Sequence, residues 1–134
     1  MPNRDGFTVI ELLAATALLG VVVVTFAPLM AWINAERQAA YQRQVALEEA
    51  CNVLERISTA PWEAVDKERI ETFEISSVGA KLLRDHRLVL SIDEKTEPVS
   101  KRLSLVLDWK SRSGERVAPV RLTTWLYAVE GNVE

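Results

Sequence analysis

The sequence predicts an α+β fold, one long N-terminal helix packed on a small antiparallel β-sheet. Three observations carry this reading. Residues 7–33 form a 27-residue run with a single charge, Glu11. Residues 34–58 keep a helical composition but become amphipathic. After residue 70, several stretches alternate apolar with polar side chains. A helical segment followed by a run of strands is the order of an α+β domain.

The apolar run comes first. At ~1.5 Å per helical residue it would cover roughly 40 Å, more than the ~30 Å of a bilayer's hydrocarbon core, so the first half of the helix reads as transmembrane. A cleaved secretory signal would have a shorter apolar stretch ending in a small-x-small site. Thr25-Phe26-Ala27 is the nearest match, and Pro28 follows it directly. Glu11 is the residue that a plain anchor leaves unexplained. A carboxylate within such a segment costs about 2.5–3.5 kcal/mol on insertion scales, which marks it as a candidate functional group. Ala14, Ala15, Ala17 and Gly20 are small enough to let another helix approach closely. Pro28 has no N–H and leaves the carbonyl of Val24 without its helical donor, so a kink is expected there. Gly20 and Pro28 bracket residues 21–25, a β-branched run of weak helix propensity.

Asn34 ends the apolar block. Leu47, Ala50, Cys51, Leu54 and Ser58 recur at helical spacing and predict the packing face, with Ala46, Val53 and Ile57 widening it. Pro61 stops the helix, because the residue before a proline is pushed out of the α region. Residues 59–65 read as a connector, with Trp62 as a lid over the helix end. Strands are expected over residues 70–76, 86–92, 103–109 and 119–128, with turn chemistry at residues 111–115.

Composition excludes several classes. The net charge is −3 and there is no Lys/Arg-rich run, which argues against a nucleic-acid partner. Cys51 is the only cysteine, so no intramolecular disulfide or multi-Cys metal site can form, and it is expected to be a small buried apolar residue. His86 is the only histidine and has no ligand spacing around it, so no metal is expected. The sequence has neither a Gly-rich phosphate loop nor a nucleophile–base arrangement. The expectation is a protein that is not an enzyme and takes no cofactor.

Gly6-Phe7-Thr8-Val9-Ile10-Glu11-Leu12-Leu13 resembles the processing site of the type IV pilin and pseudopilin superfamily. The resemblance implies a leader at residues 1–6, cut by a prepilin peptidase between Gly6 and Phe7, with N-methylation of Phe7. It also implies that Glu11 guides assembly into a filament. The freed α-amine, of unperturbed pKa near 8, stays largely protonated at neutral pH. An incoming subunit's Glu11 could pair with it, which would offset desolvation and fix axial register. The plainer alternative is that Glu11 reaches the membrane interface near the helix start. Pro28 also stands where many pilins place a helix-loosening proline, and the resemblance extends that role to Gly20.

Residues 46–57 look like the helix of the type II secretion minor pseudopilin I and of the related pilin V group, and residues 103–128 loosely resemble the last hairpin of several minor pilins. The filament-tip pseudopilin typically lacks the Glu that this chain keeps. The resemblance therefore implies a minor pseudopilin of a type II secretion system. Its anchor would cross the bacterial inner membrane once, with the C-terminal domain in the periplasm. Its partners would be the prepilin peptidase, other minor and major pseudopilins and, before assembly, the inner membrane. A minor pilin of a type IV pilus or competence filament shares every N-terminal feature. An uncleaved, membrane-anchored periplasmic binding module is the reading from a different class. The expected division is a leader (residues 1–6), a membrane or filament-core helix (7–33), an amphipathic helix (34–58) and a small α+β domain (59–134).

Overall fold

The computed structural model describes residues 8–96 and 99–128. Its first element is α1 (Val9–Ser58), 50 residues without a break. A 3₁₀ turn (Trp62–Ala64), α2 (Lys67–Ile70) and α3 (Ser77–Leu82) follow. The sheet comprises β1 (Arg87–Thr96), β2 (Val99–Asp108) and β3 (Val120–Tyr127), in the order β1-β2-β3 and antiparallel throughout. This is α+β. The chain divides into two compact units, Met1–Gln38 and Ala39–Glu134, and α1 contributes to both.

In the second unit, α1 buries one stripe. Ala46, Ala50, Val53 and Ile57 are completely buried, flanked by Val45 and Leu54. The spacing is helical, but the face is rotated from the one expected. Leu47, Cys51 and Ser58 are exposed, and the residues expected only to widen the stripe form its centre. Both sets fit a 3.6-residue period; of the expected face Ala50 and Leu54 join the core, together with Ala46, Val53 and Ile57. Cys51 is thus a surface thiol, not a core residue. α1 stops as expected: Thr59 N–H still donates to Glu55 O, whereas Ala60 turns back to Ile57 O one residue before Pro61.

The strands fulfil the alternation. Leu103, Leu105, Leu107 and Trp109 are buried in the centre of the sheet's inner face. Leu88, Leu90 and Ile92 on one side and Val120, Leu122 and Leu126 on the other complete one core with the α1 stripe. Each fully buried Leu contributes about 1.5–3 kcal/mol over an exposed one. The turn expected at residues 111–115 is present. Ser111 N–H donates to Glu115 O, Gly114 N–H to Ser111 O, and Gly114 has φ +90°, where a Cβ would be strained.

Residues 70–76 are not a strand, contrary to expectation. Ile70 ends α2 and Ser76 caps α3. The Asp66 carboxylate accepts from Arg69 N–H at 2.7 Å, and the Ser76 hydroxyl from Gly79 N–H at 3.0 Å. These N-caps nucleate two short helical turns, and local capping outcompetes a weak period-2 pattern that has no partner strand. Trp62, expected as a lid over the helix end, packs its ring under the Lys101 ammonium, 4.7 Å from the centroid.

Candidate processing and assembly site

Gly6 and Phe7 lie outside the described residues. The residues immediately after them set the geometry around Glu11. Thr8 is the N-cap of α1 and Glu11 is the third helical position. The Glu11 N–H donates to Thr8 Oγ1 at 3.3 Å, while the Thr8 N–H and hydroxyl both donate to Glu11 Oε2 at 3.0 Å. Leu12 N–H closes the first turn on Thr8 O at 3.1 Å. This is a reciprocal capping box. Its signature, Thr-x-x-Glu ahead of an apolar run, stands in the sequence, yet Glu11 reads there only as an assembly charge. Among the described residues, Glu11 Oε1 has no hydrogen-bond partner. One oxygen of the carboxylate is held by its own helix start, and the other is free for an external cation.

Beyond Glu11 the helix presents apolar surface on every side. Leu12, Leu13, Leu18, Leu19, residues 21–24, Phe26 and Trp32 are all exposed. Soluble monomers rarely expose apolar patches of this extent, and the stretch is long and apolar enough to cross a membrane. Its two hydroxyls are satisfied internally. Thr16 Oγ1 donates to Leu12 O and Leu13 O at 3.0 and 2.9 Å, and Thr25 Oγ1 to Val21 O and Val22 O at the same distances. Such bonds remove the penalty of a hydroxyl in hydrocarbon. Gly20 lies on the exposed surface of this helix, where a Cβ would meet nothing within 4 Å. α1 runs through Pro28 without a break in its assignment.

The second unit holds polar clusters that the sequence did not announce. Asp108, only 7% exposed, accepts from Arg87 Nε and Nη2 on Oδ2 at 3.1 and 2.8 Å, while Arg116 Nη1 takes Oδ1. Lys101, also nearly buried, donates to Val65 O at 2.7 Å and Trp62 O at 3.1 Å, which ties the connector to β2. Glu49, near the middle of the acidic stretch of α1, receives Ser76 N–H at 2.8 Å and its hydroxyl at 2.5 Å, so it anchors the start of α3. Asp85, in the left-handed region at φ 49°, pairs with Lys110 and lies 3.9 Å from Arg116. The hydrogen bond and charge of Lys110 hold its carboxyl below the usual range. Each of these fastens one element to another: β1 and the loop of Arg116 to β2, the connector to β2, α1 to the start of α3, and the loop of Asp85 to Lys110. The geometry is that of structural pairing.

Residues 1–27 match the family model described as the prokaryotic N-terminal methylation motif. No curated protein and no solved structure matches the chain. The N-terminus is therefore of the type IV pilin- and pseudopilin-like prepilin kind. Such a motif implies processing by a prepilin peptidase and assembly with pilin-like subunits, and the proteins that carry it are in general structural, not enzymatic.

Proposed function

We propose that this chain is a minor pseudopilin, a structural subunit of the periplasmic pseudopilus of a type II protein secretion system. One observation carries the reading: the methylation motif leads directly into a helix whose apolar side chains are exposed on all sides. Prepilin peptidase removes residues 1–6, cutting between Gly6 and Phe7, and methylates Phe7. Residues 7–33 hold the subunit in the inner membrane, with residues 34–58 and the α+β domain of residues 59–134 in the periplasm. On assembly, the apolar helix exchanges lipid for the helices of other minor and major pseudopilins.

Glu11 supplies the register. Its Oε2 accepts two hydrogen bonds from Thr8, which lower the cost of holding the carboxylate at the membrane but leave its charge to be met by a cation. Its Oε1, without a hydrogen-bond partner among the described residues, is able to accept from a neighbour's Phe7 ammonium. Burying the pair costs desolvation that the mutual attraction repays only when the geometry is good, and that condition favours one axial position. Gly20 and Pro28 provide the points where the helix loosens as it leaves the bilayer. The retained Glu11 argues against the filament-tip position.

The test is intact mass spectrometry after co-expression with a prepilin peptidase. The expected product lacks residues 1–6 and carries a methylated Phe7. A chain that still begins at an unmodified Met1 sinks the proposal in favour of an uncleaved anchored module. Copurification with pseudopilins, rather than with pilus or competence-filament subunits, separates this reading from that of a minor pilin. Gly6→Val is expected to abolish cleavage. Glu11→Gln is expected to leave cleavage intact and to abolish incorporation into the filament. Normal incorporation of the Gln variant would remove the charge-pairing argument.

A further inference from the structure

The unit formed by Ala39–Glu134 carries opposite charges on different surfaces. Residues 48–74, in the helices and connectors before the sheet, hold eight carboxylates and three cations, a net of −5 in a chain of net charge −3. All of these groups are exposed except the half-buried Glu49. The outer face of the sheet has the other sign. Strand alternation and register place Arg87, Lys95, Arg102 and Arg121 there against Asp93 and Asp108, a net of +2. On the edge strand β3 stands Trp125, 41% exposed, with Lys95 Nζ 5.3 Å and Arg102 Cζ 5.7 Å from its ring centroid. Tyr127, two residues along the same strand, extends its apolar surface and is more exposed still. Arg121 has no ion-pair partner among the described residues. Trp, Tyr and Arg are the side chains that dominate binding hot spots, and the sign of the surrounding charge selects the partner.

We propose that the outer face of the sheet docks on the acidic helical layer, residues 48–74, of a second copy of this chain. The complement of the basic face is present on the same molecule, so two copies bring +2 against −5 without any other component. The two surfaces differ, which makes the contact heterologous. Such contacts propagate from copy to copy instead of stopping at a closed pair, unless the rotation between copies closes a ring. The inference goes beyond the pseudopilus reading, because assembly through Glu11 and the apolar helix requires no contact between the domains of two copies.

Cys51 makes the contact measurable. It is exposed, is the only thiol and lies within the acidic stretch, while Lys95 lies on the basic face. The full chain is mixed with its ¹⁵N-labelled form in detergent micelles and treated with a maleimide–succinimidyl cross-linker. Peptides joining Cys51 of one isotope to Lys95 of the other are the expected product. Arg121→Glu places like charges together and is expected to lower their yield about fivefold or more at low salt. Mixing Arg121→Glu with the ¹⁵N-labelled Glu55→Lys/Glu71→Lys double variant is expected to restore the links from Lys95 of the former to Cys51 of the latter, which also shows that the sheet of the first variant is folded. Links within one isotope only, or a yield indifferent to Arg121 and to salt, would overturn the proposal. The second of these outcomes would mean that the apolar helices alone gather the copies, and it leaves the pseudopilus reading standing. Failure of Phe7 methylation would do the reverse.

Discussion

Residues 9–38 and residues 39–128 share a helix and obey opposite rules. In the first region nearly every large apolar side chain is exposed and the hydroxyls of Thr16 and Thr25 turn inward onto helix carbonyls. In the second, Leu103, Leu105 and Leu107 are sealed while charged side chains line the surface. One region has settled its hydroxyls and left its apolar side chains without partners, whereas the other has buried its apolar side chains and paired many of its charges as well. A helix with no polar face is made for an apolar environment, whether lipid or the helices of neighbours. The domain, in contrast, closes its own core around one stripe of α1. Its stability should depend little on what surrounds residues 9–38.

That independence can be broken at the core. Leu105→Ala in the middle of β2 is expected to lower the unfolding free energy by about 2–5 kcal/mol, measured by urea titration of the full chain in micelles. Leu19→Ala, equally apolar but exposed, should leave the same midpoint within about 0.5 kcal/mol. Equal effects of the two substitutions would end the comparison.

Smaller effects sharpen it within the domain. Asp108→Ala leaves Arg87 and Arg116 without their shared carboxylate and is expected to cost about 1.5–3 kcal/mol, the range for hydrogen bonds to charged groups. Gly79→Ala puts a Cβ 2.6 Å from the Glu49 side chain, a flexible group that can move but only by releasing Ser76. A loss of about 0.5–2 kcal/mol is expected, as for a removed N-cap, and Glu49→Gln should reproduce part of it. The least effect is expected from Asp85, whose folded-state pKa is depressed by Lys110. Its contribution is present above the unfolded carboxylate pKa of about 3.9 and is lost as pH falls through the folded value. Asp85→Asn should therefore lower stability slightly near neutrality and flatten its decline below about pH 4.

Long-period features were legible in the sequence. The three strands of the sheet and the inward placement of Leu103, Leu105, Leu107 and Trp109 follow from repetition over many residues, and the helix end follows from the backbone restriction that Pro61 imposes. What failed was short or degenerate. Residues 70–76 alternate as a strand would, but Asp66 and Ser76 cap helical turns on either side and no strand lies ready to pair with them. On α1, two faces fitted the same period, and composition alone did not say that Val53 and Ile57, rather than Leu47 and Cys51, meet the sheet. The Glu49–Ser76 contact spans 27 residues and has no local signature. The capping box of Thr8 and Glu11 did have one. It was obscured by the stronger resemblance that the same residues carry.

The buried indole of Trp109 has an optical consequence. Its Nε1 has no hydrogen-bond partner among the described residues, and the side chain is 1% exposed. A tryptophan so shielded from water emits at shorter wavelength than the exposed indole of Trp125, while Trp62, beneath the Lys101 ammonium, lies in a field of its own and Trp32 reports on whatever apolar medium covers residues 9–38. The four tryptophans of the chain thus report on four environments. A red shift of the Trp109 component would register opening of the core. A change at Trp32 would register that residues 9–38 had exchanged one apolar medium for another.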